Sequence, residues 1–236
     1  MGKVSQVIMI VLVGCSNAPS LQSDVATSAP EIERQTFITH PLPTTDDCPL
    51  DMVRINRFCI DRYEYPNIKG AYPDFAMSAF DAEKVCSDIN KRLCSYTEWH
   101  RACGGSHGYY YSYGPVFKPG VCNDNKVYDK QPNWMLMFTP GWKAYARTLY
   151  KGEPSGLYQG CVTDEGVYDL PANVREWVKD GEQYVIPSGY WYGTMEGPPT
   201  CDYVIRSHSK GFASYEFGTR CCKSITDDTR ENTSSN

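Results

Sequence analysis

The chain lacks several features that would assign it to common functional classes. No stripe of basic residues is present in its 236 residues, and the formal net charge is −5. Proteins that bind nucleic acid need clustered lysine and arginine to neutralise phosphates, so we expect no nucleic-acid partner. Apolar runs long enough to span a bilayer are also missing. The apolar stretch Val7–Val13 is too short to do so.

Close cysteine pairs of the C-x-x-C type are absent as well, although cysteine itself is plentiful, with eleven residues. Zinc usually binds such close pairs, and the adjacent Cys221 and Cys222 would rarely share one ion. So many thiols are unusual in a reducing cytosol. The sequence therefore favours disulfides in an exported chain, and zinc binding is the main alternative.

The first fifteen residues are typical of a bacterial lipoprotein signal. Lys3 precedes the apolar run, and Leu12–Cys15 resembles a lipobox, in which a membrane peptidase cleaves before a lipidated cysteine. We expect residues 1–14 to be a signal peptide and Cys15 to anchor the chain in the cell envelope, at the outer membrane. The alternatives are an ordinary signal peptide and an apolar N-terminus with a chance cysteine. Ten cysteines remain without Cys15, an even number that can be fully paired.

Composition divides the remainder into three parts. Residues 15–47, which begin at the lipidated cysteine, are rich in serine, threonine, proline and acidic residues, and this composition predicts a disordered tether. Residues 225–236 are polar and are predicted to be a disordered tail. The segment 48–224 is predicted to be a single domain, long enough to bury a core.

Within this domain, two helices are signalled by a serine followed three residues later by an acidic residue. The pairs are Ser78 with Asp81, and Ser95 with Glu98. Gly104-Gly105 is expected to end the second helix. Short strand-like pieces, such as 184–186 and 190–192, are separated by glycine, proline and asparagine. The pattern predicts an α+β fold with long irregular loops held by disulfides.

Four groups of motifs follow one another along the domain. They are Phe58–Asn67, Asp81–Cys86 with Lys91–Trp99, Gly166–Trp177, and Gly218–Cys221. Together they resemble the formylglycine-generating enzyme (sulfatase-modifying factor) family, whose hallmark reads G-x-Y-D-M-x-G-N-V-W-E-W. The resemblance implies a C-type-lectin-like α+β fold with little regular secondary structure. It also raises the hypothesis of an oxidase that converts a sulfatase cysteine to formylglycine.

The resemblance also implies structural disulfides. The family pattern transfers to Cys86 with Cys221 and to Cys103 with Cys201. Spacing suggests two further pairs, and the last two cysteines then remain for each other. These three pairs are Cys122 with Cys161, Cys48 with Cys59, and Cys94 with Cys222.

Calcium binding is another implication of the resemblance. Calcium prefers six to eight hard oxygen ligands. The hallmark and a second family site offer side-chain oxygens and backbone carbonyls at Asp169, Ala172, Asn173, Val174, Glu176, Asn123 and Asp124. The alternative interpretation is that Asn173 and Glu176 cap and brace a turn.

A copper site is not expected. Oxidases of the family hold copper(I) with two cysteines, five residues apart, before the cysteine that matches Cys201. The corresponding positions carry Trp191 and Glu196. Copper(I) is soft and prefers thiolates to an indole or a carboxylate. We therefore identify no catalytic residue and expect a protein that is not an enzyme.

Two functional hypotheses remain. The first is a non-catalytic binding or structural module of the envelope, whose ligand is a glycan or an envelope protein. Its Tyr-rich segments, 109–113 and 190–192, could form a recognition surface, because tyrosine combines apolar area with a polar tip. Half-buried loop aromatics are the alternative interpretation of these segments. The second hypothesis is a formylglycine-generating oxidase with a displaced site.

Overall fold

A computed structural model describes residues 48–194 and 197–225. The signal peptide, Cys15, the tether 15–47 and almost all of the tail 225–236 are predictions that lie outside this range. Across the described residues, no helix is long and apolar enough to cross a bilayer.

In the described residues, three α-helices and nine short strands are connected by long loops. In chain order they are β1 (Met52–Ile55), β2 (Phe58–Asp61), α1 (Ala79–Asp88), β3 (Arg92–Leu93), α2 (Tyr96–Gly104), a 3-10 turn (Trp134–Phe138), α3 (Trp142–Leu149), β4 (Arg175–Glu176), β5 (Val178–Asp180), β6 (Gln183–Pro187), β7 (Val204–Ile205), β8 (Phe217–Gly218) and β9 (Cys221–Ser224). The α+β class with little regular structure is confirmed.

The main sheet is antiparallel and has the order β1-β2-β9-β3. The closing strand β9 therefore lies between the first hairpin and β3, with Ile60 opposite Cys222. Strand β4 pairs with β8 in parallel, and β5, β6 and β7 form a third, antiparallel sheet. This arrangement brings the start, the hallmark and the end of the domain together.

Both predicted helices are present with their capping boxes. Ser78 accepts a hydrogen bond from the backbone N–H of Asp81, whose carboxylate accepts from the Ser78 N–H. Ser95 and Glu98 make the same exchange at the start of α2. Each box satisfies backbone donors that the first helical turn leaves unpaired. Helix α2 ends at Gly104, as predicted.

Two local predictions need correction. The strand-like piece 190–192 is a tight turn, in which the N–H of Gly193 donates to the carbonyl of Tyr190 at 2.7 Å. Gly193 has a φ of 93°, which suits glycine and ends the extended run. Helix α3 was not predicted, although Trp142, Ala146 and Leu149 follow helical spacing after Gly141.

The described cysteines form five disulfides. They join Cys48 to Cys59, Cys86 to Cys221, Cys94 to Cys222, Cys103 to Cys201, and Cys122 to Cys161. These are the same five pairs that the sequence suggested. Successive residues of a strand point to opposite faces, so Cys221 and Cys222 reach different elements. Their disulfides fix both α1 and the segment after β3 to β9.

Candidate functional site

The centre of the domain is a buried ion pair between the hallmark segment and the closing motif. The guanidinium of Arg220 donates to both carboxylate oxygens of Glu176, at 2.8 and 2.9 Å. The indole N–H of Trp99 donates to the same carboxylate at 2.7 Å. Both charged side chains are fully buried. Such a pair is stable in the interior only when its hydrogen bonds are satisfied, as they are here.

The other donors of Arg220 reach backbone carbonyls. One nitrogen donates to the carbonyl of Asp61 at 3.2 Å and another to that of Tyr168 at 3.0 Å. Burial opposes the charged form, but the carboxylate of Glu176 raises the pKa of Arg220 above its usual value. The guanidinium therefore remains charged and holds three segments of the chain together.

Asn173 of the hallmark is also fully engaged. Its amide nitrogen donates to the carboxylate of Glu64 at 2.9 Å and to the carbonyl of Glu153 at 3.1 Å. Its side-chain oxygen accepts from the amide of Asn123 at 2.8 Å and from the N–H of Glu153 at 2.9 Å. The backbone is left-handed, with a φ of 62°, a conformation that asparagine tolerates better than most residues. Asn173 thus braces two neighbouring loops.

Two further acids lie in the same interior. Glu64 accepts a hydrogen bond from the hydroxyl of Ser155 at 2.7 Å, and Asp169 accepts from the N–H of Gly156 at 2.8 Å. Burial raises the pKa of Glu64. Burial, followed by the negative charge of Glu64, raises the pKa of Asp169 well above its usual value. The two carboxyls are therefore more easily protonated than exposed acids.

The side chains that the hallmark offers to calcium are thus engaged by protein donors. Neither oxygen of Glu176 is available, and the oxygen of Asn173 already accepts two hydrogen bonds. Ala172 and Val174 are buried beside them. The side chains of Glu176 and Asn173 therefore do not fit as calcium ligands, because a carboxylate neutralised by a guanidinium is a poor ligand for a second cation. The bracing role is the interpretation that the geometry favours.

The second predicted calcium site, formed by Asn123 and Asp124, retains oxygens without hydrogen-bond partners. The side-chain oxygen of Asn123 and one oxygen of Asp124 are buried and have no hydrogen-bond partner. Burial raises the pKa of Asp124 to about 6. Buried oxygens without a donor are costly, and a hard cation would satisfy them. Within the described part of the chain, no group of three or more histidine, cysteine or acidic side chains is arranged to hold a metal. A cation here would therefore depend on amide and carbonyl oxygens as well.

The position expected for a copper thiolate is filled by an aromatic residue. Trp191 is fully buried and packs edge-on against Tyr128 and Tyr190, with ring centroids 5.1 and 5.0 Å away. Glu196, at the other position, lies outside the described residues. All cysteines from 48 to 225 are in disulfides. The residues present in the described part do not fit copper(I), which needs free thiolates.

A cluster of phenols beside Trp191 was not predicted from the sequence. The hydroxyl of Tyr128 lies 2.7 Å from that of Tyr190 and 2.5 Å from that of Tyr215. The guanidinium of Arg175 lies over the ring of Tyr190, 4.6 Å from its centroid. The abundance of tyrosine was the available signal, but residues 128 and 215 are distant in the sequence. Tyr190 is buried by this cluster, so it does not belong to an exposed recognition surface.

A cavity of about 570 Å³ opens next to this cluster. Phenol, amide, carboxylate and ammonium groups line it, from Tyr128, Asp129, Lys130, Gln131, Asn133, Tyr145 and Lys151 among others. The Tyr145 hydroxyl accepts a hydrogen bond from the N–H of Asn133 at 2.6 Å, which fixes one wall. Cavities with aromatic walls and a few polar groups are typical of small-molecule sites.

The small antiparallel sheet, the two capped helices, the irregular loops and the disulfides define a formylglycine-generating-enzyme-like α+β fold. The chain belongs to the sulfatase-modifying factor enzyme 1-like domain family, whose model matches residues 52–225. It is 29% identical over 133 residues to inactive C-alpha-formylglycine-generating enzyme 2 of Bos taurus. The match covers 53% of this chain and 40% of that relative, so the chain spans about two-fifths of the relative's length.

Solved structures that match the chain share little sequence with it. The crystal structure of CarF is 16% identical, with a TM-score of 0.49, over 72% of this chain and 87% of CarF. The structure of PvdO from Pseudomonas aeruginosa is 14% identical, with a TM-score of 0.49, over 71% of this chain and 80% of PvdO.

Proposed function

We propose that the chain is a non-catalytic binding module of the sulfatase-modifying factor family, held at the bacterial cell envelope by a lipid on Cys15. The observation that carries the non-catalytic role is the fully buried Trp191 at the position of a copper thiolate. Copper(I) catalysis needs two free thiolates, and a disulfide cannot supply them without being reduced. The name of the bovine relative, an inactive formylglycine-generating enzyme, supports the same interpretation.

A glycan is the ligand that we favour. The cavity beside Tyr128 combines phenol rings with amide and carboxylate groups. Sugar hydroxyls both donate and accept hydrogen bonds, and the apolar faces of sugar rings pack on aromatic side chains. Gln131 and Asn133 would supply amides, and Tyr145 would supply a ring. An envelope protein is the second candidate, because Tyr110 in the other Tyr-rich segment is 58% exposed.

Catalysis can be tested on the full chain. The protein is loaded with copper and incubated with a sulfatase-type peptide that contains C-x-P-x-R. Mass spectrometry then measures conversion of the thiol to an aldehyde. We expect no conversion above a control without protein. Turnover that disappears when one cysteine is changed to serine would demonstrate a displaced catalytic site and overturn the proposal.

Ligand binding can be tested on a glycan array and with envelope extracts. We expect Gln131→Ala to weaken binding of any captured glycan, because it removes an amide from the cavity wall. Gln183→Ala is the matched control, since Gln183 is an exposed glutamine on β6, away from the cavity lining. Equal binding by the two variants would place the ligand elsewhere.

The lipid anchor can be tested in cells. Cys15→Ala removes the thiol that would carry the diacylglyceryl group. We expect the variant to stop incorporating labelled palmitate. Unchanged labelling would contradict the lipoprotein interpretation without bearing on the fold.

A further inference from the structure

The 3-10 turn Trp134–Phe138 is an unusual part of the surface. Its sequence is Trp-Met-Leu-Met-Phe, yet none of its five residues is buried. Met135 and Phe138 are 75% and 76% exposed, and Trp134 is 52% exposed. A folded protein rarely exposes contiguous large apolar side chains unless they contact something else. The turn is therefore a candidate contact surface.

Charged residues are also unevenly distributed around the turn. Residues 130–151 contain Lys130, Lys143, Arg147 and Lys151 but no aspartate or glutamate, although the whole chain has a net charge of −5. Lys151 forms an ion pair with Asp129 at 2.7 Å. The other three cations have no ion-pair partner in the part of the chain that the structure describes. The segment is thus a local cationic region on an acidic protein.

Helix α3 connects the apolar turn with these cations. Trp142, at its start, lines a small cavity together with Met137 and Phe138. Lys143 and Arg147 are one turn apart, so they share a face of α3, and both line a separate cavity of about 580 Å³ with Phe75 and Tyr150. Asp74 and Asp81 also border that cavity, and the carboxylate of Asp81 is committed to the capping box with Ser78.

We propose that the turn Trp134–Phe138, together with Lys143 and Arg147 of α3, forms a membrane-contacting surface. In this arrangement Trp134, Met135 and Phe138 enter the interface of an anionic bilayer, and Lys143 and Arg147 contact lipid phosphates. Tryptophan and phenylalanine are favoured at the level of the lipid headgroups, and basic residues beside them are attracted by anionic lipids. The segment 130–151 itself carries four cations and no acid, and this excess is what favours an anionic bilayer over a protein partner. The surface extends the proposed envelope location and does not require the lipid on Cys15.

Vesicle sedimentation tests the proposal with the full chain carrying Cys15→Ser, which removes lipidation. Vesicles contain phosphatidylcholine alone or with phosphatidylglycerol. We expect binding to the anionic vesicles that weakens with salt, and binding roughly tenfold weaker for Met135→Ser/Phe138→Ser. The matched control is Ile68→Ser/Val116→Ser, which changes two apolar residues outside the segment that are 58% and 66% exposed, and it is expected to bind as the parent does.

A second pair of variants tests the charge. Lys143→Gln/Arg147→Gln is expected to lose the preference for anionic vesicles, while the exposed pair Lys118→Gln/Lys223→Gln keeps it. Thermal melting verifies that each variant is folded. The proposal is overturned if the parent chain binds neither vesicle, or if the Met135/Phe138 variant binds as tightly as its control. Because the tested chain carries no acyl group, such a failure leaves the separate test of Cys15 lipidation unaffected.

Discussion

Glu176 and Arg220 form an ion pair that is excluded from solvent, with the carboxylate and the guanidinium 2.8 Å apart. The two residues belong to two different motifs, Gly166–Trp177 and Gly218–Cys221. The parallel pairing of β4 with β8 brings these motifs together. The ion pair therefore explains why the hallmark acid and the closing arginine occur in one domain: each would be a buried, uncompensated charge without the other.

We predict that Glu176→Gln strongly destabilises the domain. Losing one partner leaves the guanidinium of Arg220 buried without its counter-charge, which costs about 3–5 kcal/mol. Urea unfolding with the disulfides intact measures this loss. Asp88→Asn is the matched control, because it breaks the exposed pair with Lys84 and is expected to cost less than about 0.5 kcal/mol. Equal losses for the two variants would contradict a central role for the ion pair.

The disulfides give a second prediction. Alkylation of the folded chain without reduction is expected to label none of the cysteines from 48 to 222. In the chain-entropy model, removing the Cys103–Cys201 bridge, which closes a loop of 98 residues, costs about 4–5 kcal/mol. Removing Cys48–Cys59, with a separation of 11 residues, costs about 3 kcal/mol in the same model. Labelling of two or more cysteines would contradict this account, and so would a larger loss of stability on removing Cys48–Cys59 than on removing Cys103–Cys201.

The sequence predicted the parts of the fold that depend on local chemistry. The capping boxes at Ser78 and Ser95 place helix starts within one turn, because the side-chain acceptor must lie close to the unpaired N–H groups. Helix α3 has no such signal, since Gly141 precedes it without a side-chain cap. The turn at Tyr190 was mistaken for a strand because aromatic residues favour strands, whereas Gly193 and packing around Trp191 decided the conformation.

The candidate site was less predictable. Sequence motifs indicated which residues matter, but not which partners they bind. Glu176 carries suitable oxygens for calcium, and only the three-dimensional structure shows that Arg220 occupies them. The cavity beside Tyr128 and Tyr145 likewise depends on segments that are distant along the chain. Partners that are brought together by non-local packing cannot be read from spacing alone.

The pKa of Glu98 gives a prediction about pH. Burial acts to raise this pKa, but hydrogen bonds from Arg92 and from the Ser95 N–H lower it below its usual value. The contribution of Glu98 is therefore fully present above its unfolded pKa, about 4.3, and is lost as the pH falls through the folded pKa. We expect Glu98→Gln to cost about 1 kcal/mol at pH 7, and the difference from the parent to shrink below about pH 4.

Thermal or urea unfolding across this pH range measures the difference. Glu182→Gln is the control, because Glu182 is an exposed acid in the turn between β5 and β6. Its stability is expected to follow that of the parent chain at every pH. A difference for Glu98→Gln that stays constant down to pH 2 would show that its side chain acts through packing and not through its charge.

Calcium gives the last prediction, because the structure separates two possible sites. The hallmark acid Glu176 is neutralised by Arg220, whereas oxygens of Asn123 and Asp124 are buried without partners. If a cation satisfies these oxygens, calcium at a hundred times its dissociation constant stabilises the fold by about 2.7 kcal/mol. We expect a chelator to lower the melting temperature of the parent chain and to have no effect on Asp124→Asn.

Glu176→Gln distinguishes the two sites. This variant is expected to melt at a lower temperature than the parent and still to respond to calcium. The carboxylate that it lacks serves the ion pair with Arg220 in the parent chain and does not bind the cation. Loss of the calcium response in Glu176→Gln, together with its retention in Asp124→Asn, would return the site to the hallmark segment. Identical melting of the parent chain with and without chelator would exclude both sites, and the unpaired oxygens would then need a water molecule, which satisfies buried polar groups equally well.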